Sequence, residues 1–227
     1  MSKDTKSWNP FVGCKFDCLY CEASYKKLLR WEGKMHHCLK CVNYEPHAHP
    51  ERLDRLPSDR VIFVLSNGDI SFCDPDFVHK IVEVMRKDRR SNRVFLLQSK
   101  NPACFTDLLD GLPHNVVLMT TLETNRDSKY SEVSKAPLPS QRFRDFLQLA
   151  WDRKALVMEP ILDFDLYVIL EWAKKLNPEA IFIGFESKRK CILPEPSDLK
   201  VLDLHKELKG LGLETCDKAE KKYKDVF

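Results

Sequence analysis

Five short apolar runs, each followed by a helix-like segment, constrain this chain more than any other feature. They are residues 61–66 (VIFVLS), 93–99 (RVFLLQS), 115–121 (NVVLMTT), 155–160 (ALVMEP) and 180–185 (AIFIGF). Amphipathic segments at 75–87, 102–109, 140–152, 165–176 and 197–211 alternate with them. Runs of this length are too short for buried helices and lack the polar alternation of a half-solvated strand. They read as strands covered on both faces. Strand then helix, repeated, implies parallel strands joined by right-handed crossovers. With a short strand before Cys14, the pattern predicts an α/β fold with about six parallel strands. A closed eight-unit barrel takes roughly 250 residues. A chain of 227 residues with an insertion near its start falls short of that. The expectation is an open, partial βα barrel forming a single domain over residues 1–227, with a Cys/His-rich insertion at about 35–50.

Polar residues at the C-terminal ends of such strands gather in one mouth. Read in order, those ends are Ser66-Asn67-Gly68-Asp69, Ser99-Lys100, Thr120-Thr121 with Glu123, Glu159, and Glu186-Ser187. Five polar ends aimed at one rim suggest a site. Glu159 and Glu186 close apolar strands, where an unpaired carboxylate is costly to bury; Lys100 is a candidate partner. These three are the candidate catalytic residues. Ser99, Thr121 and Glu123 are placed to hydrogen-bond a ribose or an amino acid moiety. Strand-end capping explains them equally well.

The stretch WNPFVGCKFDCLYCEA carries Cys14, Cys18 and Cys21 in a C-x3-C-x2-C spacing, interleaved with Phe16 and Tyr20. Thiolates are the usual ligands of iron–sulfur clusters, and a four-iron cluster takes four. Three closely spaced cysteines can hold a cube and leave one iron open, and an open coordination position is where a metal centre does chemistry. Structural zinc with a fourth ligand from elsewhere is the alternative, although zinc knuckles favour paired C-x2-C units.

C-x3-C-x-aromatic-C in the first loop of a βα barrel resembles the signature of the radical S-adenosylmethionine (SAM) superfamily. The resemblance implies that Cys14, Cys18 and Cys21 bind a [4Fe-4S] cluster whose fourth iron takes the amino and carboxyl groups of SAM. It implies reductive cleavage of SAM to methionine and a 5′-deoxyadenosyl radical, fed by an external electron donor of flavodoxin or ferredoxin type. Tyr20 would lie against the adenine of SAM. The segments HPERL (49–53), VLSNGDISF (64–72), LLQSKNP (96–102), LETN (122–125), MEPIL (158–162) and IFIGFES (181–187) extend the likeness to a phage- and prokaryote-associated branch. Where the superfamily often shows Gly-Gly-Glu after the second strand, this chain has Ser66-Asn67-Gly68-Asp69. Ser66, Asn67, Asp69 or a backbone carbonyl would then meet the SAM amino group. After the fifth strand Glu186-Ser187 runs into Lys188-Arg189-Lys190 rather than glycine.

A second constellation, MHHCLKCVNYEPHAHPERL, starts at Met35. C-x2-C is half of a zinc site, and two imidazoles can complete a tetrahedron. The expected ligands are Cys38 and Cys41 with His37 and His47. His49 has a weaker claim because it belongs to the HPERL pattern. Stabilising a loop is the expected role. Cys73, Cys104, Cys191 and Cys216 are scattered and read as small buried residues.

The balance of 37 basic and 34 acidic residues neither argues for nor excludes nucleic acid. A basic run is most often a solvated helix face, and KAEKKYK at 218–224 reads that way. The run at 188–190 differs, since a basic lip at the rim suits a nucleic acid or peptide substrate. No apolar run approaches the roughly 20 residues of a membrane span, and MSKDTKSWNP lacks a signal-peptide core, so a cytoplasmic location is expected. Two rival functions stay open: a zinc-stabilised nucleic-acid-binding protein without catalysis, and a SAM-dependent group transferase of the same fold.

Overall fold

The computed structural model describes residues 5–21, 26–186 and 192–217. Its centre is a seven-stranded sheet of β1 (Thr5–Trp8), β4 (Val61–Val64), β5 (Val94–Gln98), β6 (Val116–Thr121), β7 (Lys154–Met158), β8 (Ala180–Ile183) and β9 (Thr215–Asp217), neighbours in that order. Every pairing is parallel. The strands form an open half-barrel. One strand more than expected is present. β9 has the sequence Thr-Cys-Asp, with no apolar run to announce it, and it is recruited by pairing with β8.

From β4 to β8 both faces of the sheet are dry, which is why these strands read as continuous apolar runs. Ile62, Val64, Phe95, Leu97, Leu118, Leu156 and Ile181 alternate toward the helices and belong to the main core. Val61, Val94, Leu96, Val117, Met119, Val157 and Phe182 fall on the opposite face and pack against one another. Burying a side chain of this size contributes about 1.5–3 kcal/mol.

The helices α3 (Pro75–Lys87), α4 (Pro139–Gln148), α5 (Leu166–Leu176) and α6 (Asp198–Gly210) connect the strands. α3 starts where Asp74 accepts from the backbone N–H groups of Asp76 and Phe77, with Pro75 in the first turn. The connection expected as a helix at 102–109 is a 3₁₀ segment, Pro102–Gly111.

Between β1 and β4 the chain leaves the sheet. β2 (Phe11–Val12) and β3 (His47–Ala48) form a two-stranded antiparallel ribbon, and α1 (Lys27–Met35) and α2 (Leu39–Val42) lie between them in sequence. The Cys/His-rich stretch at about 35–50 lies within this excursion. Among the described residues no helix is long and apolar enough to cross a membrane.

Candidate functional site

The loop leaving β2 begins at Gly13, whose φ of +91° only glycine adopts readily. Its N–H donates to the Asn67 carbonyl at 3.0 Å, and its carbonyl accepts from Asp69 N–H at 3.2 Å. Gly68 packs so closely on Gly13 that a Cβ there would come within 2.9 Å of the Gly13 carbonyl. The first loop is thereby stitched to the loop after β4. Asn9 tightens the same seam by accepting from Asn67 N–H at 3.1 Å and from the Ser66 hydroxyl at 3.3 Å.

The other side of the cysteine loop is held by the segment after β6. Leu19 N–H donates to the Val133 carbonyl at 3.0 Å and Lys135 N–H to the Phe16 carbonyl at 2.7 Å. Phe16 meets Phe72 edge-on, with centroids 4.7 Å apart. Cys18 is buried with its Sγ 3.1 Å from the Ser134 hydroxyl, and Cys14 Sγ accepts from Phe16 N–H at 3.4 Å. The Cys21 thiol hydrogen-bonds Cys18, which lowers the Cys18 pKa and raises that of Cys21. Burial and the nearby Asp69 carboxylate raise Cys14. Lys100 lies close enough to favour the thiolate at all three cysteines.

Behind the thiols sits a buried charge network centred on Glu123, which is fully buried. Its carboxylate accepts from Tyr20 and Lys100, and from the Tyr130 hydroxyl at 2.9 Å. Arg142 Nη1 stands 2.9 Å from Glu123 Oε2, an ion pair without hydrogen-bond alignment, because Nη1 donates to the Thr121 carbonyl. Burial alone would raise the Glu123 pKa. The two cations, Arg142 and Lys100, override it and hold the carboxyl well below the usual carboxylate range. Lys100 also lies 5.2 Å from the Tyr20 ring centroid.

Asp69 is the hub of the neighbouring rim. It accepts from the Ser99 and Ser71 hydroxyls at 2.7 Å each, from Ser71 N–H at 3.0 Å and from Lys100 N–H at 2.9 Å. Burial raises its pKa, and those four donors pull against the rise. Thr121 accepts from the Gln98 amide at 2.7 Å. The structure therefore commits Asp69, Ser99 and Thr121 to protein partners. Glu159 is half-buried at the end of β7, and Glu186 is buried at the end of β8, where its N–H donates to Glu195 at 3.0 Å. Lys100 pairs with Glu123, not with either of these carboxylates. Ser187, the basic run at 188–190, Cys191 and the run at 218–224 lie outside the described residues.

The insertion contains a different arrangement. Cys38, Cys41, His47 and His49 bring one ligand atom each within 4.8 Å of one another. Cys38 and Cys41 lie 3.3 and 3.4 Å from His47 Nε2, and Cys41 lies 3.3 Å from His49 Nε2. His37, the expected fourth ligand, is exposed, stands at φ +54° and is not in this group. His49 takes that place because the β2–β3 ribbon carries it: its N–H donates to the Pro10 carbonyl at 2.6 Å. Among the described residues this is the one such set closed to the size of a single ion. The Cys14, Cys18 and Cys21 sulfurs are not drawn together that way.

No protein-family model and no curated protein matches the chain. Solved structures do. SuiB of Streptococcus suis superposes with a TM-score of 0.59 at 9% identity, covering 95% of this chain and 49% of that one. A radical SAM methyltransferase from Sphaerobacter thermophilus gives 0.58 at 12% identity, over 94% and 65%. The chain has the radical SAM fold. Spore photoproduct lyase, crystallised with a dinucleoside spore photoproduct, gives 0.56 at 10% identity, over 89% and 60%. The chain thus spans about half to two thirds of the length of these structures.

On this fold, Tyr130, Ser134 and Arg142 belong to the candidate site, although nothing in the sequence singles them out. Tyr130 and Ser134 lie in the long polar stretch after β6, and Arg142 reads as an ordinary charged position of an amphipathic helix. Only its distance from Glu123 reveals its role. Asn9 had a signal, since it belongs to the WNPFVGC segment that leads into the cysteines.

Proposed function

We propose that the chain is a radical SAM enzyme in which Cys14, Cys18 and Cys21 hold a [4Fe-4S] cluster. The observation that supports it best is the placement of three buried or half-buried thiols at the C-terminal mouth of a parallel half-barrel. The donor set fits a cluster. It is all sulfur, no fourth histidine, cysteine or carboxylate closes it to a single ion among the described residues, and Lys100 offsets the thiolate charge. When bound and reduced, the cluster would supply the electron that cleaves SAM into methionine and a 5′-deoxyadenosyl radical for hydrogen abstraction. That electron has to come from an external donor of flavodoxin or ferredoxin type.

The chain's own residues set the geometry around that centre. Gly13 and Ser134 fix the loop from its two sides. Tyr20 is the candidate for the adenine face, its hydroxyl anchored on Glu123 so that its ring cannot swing away. The Ser66–Gly68 backbone, rather than the saturated Asp69 side chain, is the candidate contact for the SAM amino group. Glu159 and Glu186 close the rim on the far side.

For the substrate, a nucleic acid or a peptide fits the surroundings. A cavity of ≈ 600 Å³ beside Cys14 is lined by Lys15, Lys26, Arg30 and Lys135, with Asp17 and Glu45 the acidic residues among its walls. Asp17 pairs with Lys26 at 2.8 Å and with Lys135 at 3.1 Å, so the wall is polar with a modest basic excess, which suits a polar or anionic chain better than an apolar metabolite. Structural neighbours include spore photoproduct lyase with a bound dinucleoside photoproduct and SuiB with a bound precursor peptide.

The test is anaerobic reconstitution with iron and sulfide. About four irons per chain and dithionite-dependent 5′-deoxyadenosine are expected. A colourless protein after reconstitution, or unchanged iron content in Cys18→Ala, would sink the reading. Formation of S-adenosylhomocysteine instead would select the group transferase of the same fold, and zinc as the sole metal would select the non-catalytic nucleic-acid binder.

A further inference from the structure

We infer that Cys38, Cys41, His47 and His49 form a closed four-ligand zinc site that clamps the ribbon carrying the cysteine loop. The four ligand atoms are mutually within 4.8 Å, and three sulfur–nitrogen pairs among them are 3.3 to 3.4 Å apart. A tetrahedral zinc with Zn–S of about 2.3 Å and Zn–N of about 2.05 Å places such pairs about 3.6 Å apart. Those three pairs lie within a few tenths of an ångström of the spacing one ion imposes, and the widest pair of the set, no more than 4.8 Å apart, has about 1 Å to close on binding. Two thiolates with two imidazoles is the donor set of structural zinc, and all four positions are filled by protein.

The outer contacts point the same way. Both histidines aim Nε2 at the centre and use Nδ1 elsewhere: His47 on the Glu45 carbonyl at 2.7 Å, His49 on the Glu51 carboxylate at 2.8 Å. This is how metal-bound imidazoles are oriented, with the second nitrogen donating to a carbonyl or carboxylate. Packing supplies the rest. Cys41 is buried in a small core with Val12 and Leu29, and Gly33 lets α1 approach so closely that a Cβ there would lie 2.6 Å from Val42 N and 2.8 Å from Cys41 Cβ.

The position of the ion gives it a role. His47 lies on β3, paired with Val12 of β2, and Gly13 follows directly. Glu45 and Pro46 press on Gly13, and residues 42–46, between the second and third ligands, wall the cavity beside Cys14. Zinc would thus hold one flank of the cysteine loop in place before any cluster is present.

The experiment uses the full chain carrying Cys14→Ala, Cys18→Ala and Cys21→Ala, purified without added metal and assayed by plasma emission. About one zinc per chain is expected. In that background His49→Ala should lower zinc at least tenfold in competition with a chelator, and His37→Ala should leave it unchanged. Absence of zinc from the triple variant, or loss in His37→Ala with retention in His49→Ala, overturns the assignment. Should His49→Ala fail to fold, Co(II) is titrated into the zinc-stripped triple variant. Strong visible absorption with thiolate charge-transfer bands indicates four-coordinate sulfur and nitrogen ligation, whereas a weak six-coordinate spectrum overturns it. If the natural chain, reconstituted anaerobically with iron and sulfide, took up no iron and still held zinc, the radical SAM reading would fall and this one would stand.

Discussion

Glu123 illustrates how a single residue can be decisive without being obvious. Its carboxylate is fully buried between Arg142 and Lys100 and accepts from two tyrosines. Glu123→Gln leaves the buried Arg142 and the half-buried Lys100 without their counter-charge. A destabilisation of about 3–5 kcal/mol is expected, read by denaturant unfolding at neutral pH. The pH dependence follows from the depressed pKa. A carboxyl held lower in the folded state adds stability that is complete above the unfolded value of about 4.3 and is lost as the pH falls below it. The stability gap between the natural chain and Glu123→Gln should therefore be constant from pH 7 to 5 and narrow at more acid pH. A gap independent of pH down to 3 would contradict the ion-pair account. The sequence offered Glu123 as a strand-end residue, and its position was readable from the end of an apolar run. Its partner Arg142 was not, because a buried arginine and a solvated one look identical in an amphipathic pattern.

Elements meet here through glycines, and substitution separates close approach from mere flexibility. Gly13→Ala would force a side chain into the Glu45 carbonyl at a φ of +91°. The β2–β3 ribbon must then move. Reconstituted iron should fall severalfold while far-ultraviolet circular dichroism shows the sheet intact. Gly210 makes the control, since a Cβ there meets nothing within 4 Å. Gly210→Ala at the end of α6 should be neutral or stabilise by up to about 1 kcal/mol in thermal unfolding, with iron content unchanged. Equal iron loss in both variants would deny the ribbon its part. At this scale the periodicity located β4 to β8 and their helices well. It missed β9, whose three residues carry no pattern of their own, and it read 102–109 as a helix where the chain forms a tighter 3₁₀ segment.

For the whole molecule, the core belongs to the sheet and its helices, and the thiol triad packs in a small separate cluster with Phe16 and Ala136. Cys14→Ala, Cys18→Ala and Cys21→Ala together should abolish iron binding yet preserve one cooperative thermal transition, costing less stability than Glu123→Gln alone. Collapse of that transition would mean that the cluster loop nucleates the fold. By itself the sequence determined the parallel α/β architecture, because strands dry on both faces must be written in unbroken apolar runs. It also put Cys14, Cys18 and Cys21 in one loop, because eight residues of chain cannot separate them far. Tertiary structure alone decided that His49 rather than His37 joins Cys38 and Cys41, and that Arg142 reaches Glu123. Such contacts depend on how the ribbon folds back and how a helix rotates, and spacing along the chain carries no record of either.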